Sequence, residues 1–124
     1  RVPAAMTAAP WRARSATELW TVRWVGPLHR EYARAVAPLL SAVGVTSAPL
    51  HAAAAVVVGG ALPAAGLVVA GWPVGCGAAL AAFFAVHGGL MAVEHAAPWA
   101  ARPATLWLGV ALTVPLLDVA LGPA

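Results

Sequence analysis

Charge is what this sequence most lacks. Of its 124 residues 9% are charged and 62% are hydrophobic, whereas roughly a quarter of an ordinary soluble domain is charged; that class is excluded. Lys, Ile, Asn and Gln are absent altogether. The codons for Lys, Ile and Asn are AT-rich, so their joint absence points to a GC-rich, bacterial genome and says little about the fold. A single cysteine, Cys76, excludes an intrachain disulfide framework and any Cys-based zinc or iron–sulfur site made by this chain alone. The largest absence runs over residues 35–93, which are 59 residues without one Asp, Glu, Lys or Arg. Such a stretch is long enough for two membrane crossings. The chain opens on Arg1 and not on Met, so it is expected to be processed or to start inside a longer one, and no signal-peptide pattern opens it.

The charges that are present are placed unevenly. Six of the seven cations, all Arg, fall within the first 34 residues beside the apolar body. That arrangement suits an anionic lipid surface and argues against nucleic acid as a partner. The pattern predicts an all-α integral membrane protein with two N-terminal interfacial helices followed by three transmembrane helices. In domain terms these are a flexible arm over 1–14, cytoplasmic interfacial helices over 15–47 and a three-helix transmembrane domain over 48–124. Order is expected to begin at Ser15, because Ser15 and Glu18 have the spacing of a capping box. The first helix carries Trp20, Arg23 and Trp24 and ends at Gly26-Pro27. The second, about 28–40, puts Leu28, Tyr32, Ala35 and Leu39 on one face. Trp20, Arg23 and Trp24 read as an interfacial anchor at headgroup level.

Three spans are expected near 49–70, 76–93 and 104–121, with a tight hairpin at Gly71–Gly75 between the first two. An N-terminus in the cytoplasm of a bacterial inner membrane then places Arg102 on the cytoplasmic side and the C-terminus outside, in accord with the positive-inside rule. At about 100° per residue the second span shows two opposite stripes. Ala78, Ala82, Ala85 and Gly89 form a small-residue stripe expected to pack on a neighbouring span. Leu80, Phe84, His87 and Met91 form the other, and a His at that depth calls for a protein or ligand partner. Pro63 and Pro115 interrupt the backbone ladder in mid-span, so a bend is expected near residues 59–63.

Several segments resemble the C-terminal part of the wax-synthase branch of membrane-bound O-acyltransferases. That family carries S-x-x-E-F-W-x-x-R-W-N, then an apolar span ending in S-G-x-x-H-E, then F-F-x-x-H-G-x-x-x-x-x-E. This chain has S-A-T-E-L-W-T-V-R-W-V from Ser15, V-G-G-A-L-P-A from Val58, and F-F-A-V-H-G-G-L-M-A-V-E from Phe83. The resemblance covers about residues 15–121. It places Pro63 where the family has its catalytic His and Val25 where the motif has Asn. Acyl transfer to a hydroxyl needs a base that can take its proton, and Pro cannot. The resemblance therefore implies a relative that retained the scaffold and lost the chemistry.

No catalytic or metal-binding residues are assigned. His87 is the candidate for cofactor binding, as a tetrapyrrole ligand, set against a structural hydrogen bond across helices. Glu94 is expected at a solvated helix end, Asp118 at or near the external surface, and Cys76 as a small apolar contact. No cofactor is expected beyond bound lipid. The function expected is that of a non-catalytic accessory subunit packing on a larger membrane complex of the respiratory or photosynthetic kind, a pseudoenzyme with other membrane subunits and lipid as partners. The alternative is an acyltransferase fragment that acts with a second chain.

Overall fold

A computed structural model describes residues 9–24 and 26–122. Among these the chain is all helical, with two short N-terminal helices ahead of three long apolar ones. Helix α1 (Ala16–Glu18) runs directly into a π-helical turn (Leu19–Arg23), and α2 is Gly26–Ala42. The long helices are α3 (Ala48–Val69), α4 (Val74–Ala96) and α5 (Pro103–Leu121). At 22, 23 and 19 residues they are long and apolar enough to cross a membrane, as expected of a membrane protein with transmembrane helices. Helix continues through Pro63 and Pro115. Gly26 and Pro27, expected to end the first helix, instead open α2, where the fixed φ of proline suits a first turn.

Two glycines make the tight connections possible. Gly44 and Gly71 have φ of 91° and 93°, the left-handed region that glycine enters without steric cost. After Gly71 the Trp72 N–H bonds to the Leu67 carbonyl and the Gly71 N–H to that of Val68, both at 3.0 Å. This is the Schellman pattern, and the same pattern follows α2, where Val45 N–H bonds to Leu40 and Gly44 N–H to Ser41. The loop after α2 is held further by His51, whose Nε2 lies 2.7 Å from the Val45 carbonyl oxygen.

Helix α4 is the centre, with α3 on one side and α5 on the other. Its stripe assignment is the reverse of the expected one. Ala78, Ala85 and Gly89 are exposed and Ala82 is half-buried, whereas Leu80, His87 and Met91 are buried. The close approach to α3 is made by Gly77 and Gly88. A Cβ on Gly88 would stand 2.5 Å from Val57 Cγ2 and 2.9 Å from the Ala53 carbonyl oxygen; one on Gly77 would stand 2.6 Å from Val68 Cγ2. On α3, Gly60 is pressed against Phe84 in the same way. Eleven residues separate Gly77 from Gly88, which is three helical turns, so both lie on one face. The alanine stripe is small throughout, but the approach depends on where a Cβ is missing altogether.

The N-terminal helices are docked along the long ones. Tyr32 of α2 lies against Gly59, half-way along α3. Ala13, Ala16, Leu19 and Trp20 join Ala53, Val56, Phe83, Met91 and Leu106 in the main core. Of the flexible arm expected over 1–14, residues 1–8 lie outside the described residues. Of the rest, Pro10–Arg12 forms a 3-10 turn with Trp11 and Arg12 exposed, and Ala13 is buried against the core.

The Ser15 cap is present. Its Oγ accepts from the Glu18 N–H at 3.0 Å. The return half of the capping box is displaced by one residue, since Glu18 accepts from the Arg14 N–H at 3.0 Å and from Arg23 Nε at 2.6 Å. These two donors hold the Glu18 carboxyl below its ordinary value, the Arg14 N–H first and Arg23 second. Ser15→Ala is expected to lower stability by about 1 kcal/mol, read as a shift in the thermal transition in detergent.

Candidate functional site

Two of the buried polar residues, Glu94 and His87, lie on α4 where the N-terminal segment docks. Glu94, expected at a solvated end, is 7% exposed. Its carboxylate accepts from the Ala16 N–H at 2.8 Å, the Thr17 N–H at 2.9 Å and the Thr17 hydroxyl at 2.7 Å. With Ser15 taking the Glu18 N–H, all three N–H groups of α1 are satisfied, two of them from a residue more than 70 positions away. A short helix has no other source of partners for its first amides.

Two turns along α4 from Glu94, Trp20 enters the bundle. The π-turn that carries it closes with the Trp24 N–H on the Leu19 carbonyl at 2.6 Å, and this wider turn is a common means of re-aiming a side chain. Trp20 is packed against Phe84 and His87, with ring centroids 5.3 and 5.4 Å away, and edge-on to Phe83. It is therefore part of the core and not the interfacial anchor expected of it. Of the other two anchor residues, Trp24 is partly exposed and Arg23 is paired with Glu18. The stripe of Leu80, Phe84, His87 and Met91, expected to meet another protein, meets this chain's own N-terminal segment and core.

His87 is fully buried. Its Nδ1 lies 3.1 Å from Trp20 Nε1, and its Nε2 lies 3.0 Å from Thr113 Oγ1. An indole N–H can only donate, so Nδ1 accepts and the neutral ring carries its proton on Nε2. That proton goes to Thr113, whose hydroxyl in turn donates to the Gly109 carbonyl at 2.8 Å. The line Trp20–His87–Thr113–Gly109 ties the N-terminal segment, α4 and α5 together. It leaves no free imidazole lone pair for a tetrapyrrole metal, and ligation by His87 would require giving up the Trp20 bond. Thr113 was missed by sequence reasoning, although a lone hydroxyl in mid-span is the usual signal for such a contact.

Beside this line, between the N-terminal segment and α3, α4 and α5, runs a groove of about 540 Å³. Trp20, Trp24, Tyr32, Phe83, Phe84 and Trp107 supply its aromatic walls, and His29 and His87 also line it. His29 is 7% exposed. Burial, and secondarily Arg30 beside it, push its imidazole below the ordinary value. Pro63, at the position where the resemblance places a catalytic base, is exposed on α3 and does not line the groove. Val25, at the position of the motif's Asn, lies outside the described residues. Asp118 is exposed, and Cys76 donates to the Val119 carbonyl at 3.4 Å. Among the described residues no group of three or more His, Cys, Asp or Glu is placed to hold a metal ion.

Compared with protein families, curated proteins and solved structures, the chain matches none.

Proposed function

We propose that this chain is a non-catalytic accessory subunit, a pseudoenzyme on a wax-synthase-like scaffold, that packs on and stabilises a larger membrane complex. One observation carries the reading. Glu31 and Arg34 of α2 form an exposed ion pair at 2.7 Å, on a helix whose Tyr32 lies against the middle of α3. With α3 crossing a membrane, that level is its hydrocarbon middle and not the interface expected of residues 15–47; charges there are costly and are normally turned toward protein or water. A partner with polar groups covering this face removes the cost. The commitment of His87 and Glu94 to internal hydrogen bonds agrees with a structural role for the polar residues of the bundle. The membrane proposed is a bacterial inner membrane, with the N-terminus cytoplasmic and the C-terminus outside, and the partner complex is a bioenergetic one.

Purification in mild detergent is expected to yield the chain together with other membrane subunits. Arg34→Glu is expected to reduce their recovery at least tenfold while leaving the chain's own thermal transition within about 0.5 kcal/mol, as for other surface changes. A stable monomer, or co-purification indifferent to Arg34, overturns the proposal.

A second reading, an O-acyltransferase fragment acting with another chain, has its own support. The segments on which the resemblance rests are joined in space, Trp20 to His87 and Thr17 to Glu94. Acyl transfer by the purified assembly that is abolished by His87→Ala would favour that reading over the first.

A further inference from the structure

His29 stands out from the other buried polar groups. Glu94, His87 and Thr113 all have hydrogen-bond partners, whereas among the described residues His29 has none. No buried side-chain nitrogen or oxygen there is sealed off without a partner, so the His29 ring nitrogens remain open, and His29 lines the groove. An imidazole on a side chain more than nine-tenths buried, lining the groove with no hydrogen-bond partner among the described residues, is placed to pair with a polar group of whatever fills that groove.

The groove defines the remainder of that ligand. Its wall on α5 runs from Trp107 through Val110, Val114 and Leu117 to Leu121. The 14 steps of helix from Trp107 to Leu121 make that wall about 21 Å long, longer than one leaflet's half of a hydrocarbon core about 30 Å thick. None of the described lining residues is charged, so a phosphate or carboxylate inside would be buried without compensation from them. The volume of about 540 Å³ falls within the usual range of small-molecule sites.

We propose that the groove is a lipid site for an uncharged long-chain molecule whose carbonyl oxygen accepts the His29 N–H and whose tail lies along α5. Two kinds of membrane constituent present that chemistry: an isoprenoid quinone, and the ester carbonyl of an acyl lipid. The proposal does not rest on the accessory-subunit reading, since it concerns the purified chain alone.

The test is quenching of tryptophan fluorescence in reconstituted protein, because Trp20, Trp24 and Trp107 all line the groove. An isoprenoid quinone is titrated into one set of vesicles, and a diacylglycerol with brominated acyl chains into another. Saturable quenching by either supports the site, and the probe that saturates at the lower mole fraction identifies the source. His29→Phe removes the donor at similar volume and is expected to weaken that binding about fivefold, the usual worth of one hydrogen bond. Val110→Phe keeps His29, obstructs the tail and is expected to weaken it more than tenfold, with an unchanged thermal transition as the check on folding. Linear quenching with both probes, or saturation unaltered in His29→Phe, overturns the proposal.

Discussion

Glu94→Ala is expected to undock the N-terminal segment and to lower the stability of the bundle by about 3–5 kcal/mol. The carboxylate accepts three hydrogen bonds from Ala16 and Thr17. Bonds to a charged acceptor are each worth about 1.5–3 kcal/mol, and donors left buried without partners add a penalty. With α1 only three residues long, nothing within the helix can take over. The loss should spread to Trp20, since its anchoring at His87 depends on the segment that Glu94 holds. Expected readouts are a lower thermal transition in detergent, faster hydrogen exchange at the Ala16 and Thr17 amides, and a red-shifted tryptophan emission. Glu94→Gln keeps one carbonyl acceptor and should retain part of the stability. An Ala16 amide protected as before in Glu94→Ala would show that the clasp does not hold the segment.

Gly88→Leu is expected to cost more than about 3 kcal/mol, the upper end for overpacking a close contact. The obstacle to a Cβ at Gly88 includes the Ala53 carbonyl oxygen at 2.9 Å as well as Val57. A side-chain methyl can rotate aside, but a backbone oxygen in a helix cannot, so α3 and α4 must separate. Between helices in lipid, association depends on van der Waals packing and not on a hydrophobic driving force, so lost proximity is not recovered elsewhere. Gly89→Leu is the control, with nothing within 4 Å of its Cβ position, and should be nearly neutral. Equal thermal transitions for the two variants would refute the assignment of the packing face.

The spans were legible because each is a long run of apolar residues with almost no charge, a signal that needs no partner to be read. The Ser15 cap was equally legible, being a matter of spacing three residues apart. The faces of α4 were not. On a helix apolar on every side, periodicity separates two stripes without saying which turns inward, and the choice went to the alanines. The docked Trp20 outweighed them: filling the space beside Phe83 and Phe84 and pairing the His87 nitrogen turns the His stripe into the bundle. Trp20, Arg23 and Trp24 likewise resemble a headgroup anchor in composition, and only the distance from Trp20 Nε1 to His87 Nδ1 separates core from surface.

Composition and charge placement by themselves determined an all-helical chain with three helices able to cross a membrane, because avoidance of charge is a property of each residue in its solvent. The tertiary structure alone decided where the polar residues go. Glu94 turns to the amides of α1, His87 bridges Trp20 and Thr113, and His29 is left open on the groove. The first two are pairings between residues far apart in sequence, and their energy exists only once the helices have brought donor and acceptor to hydrogen-bonding distance.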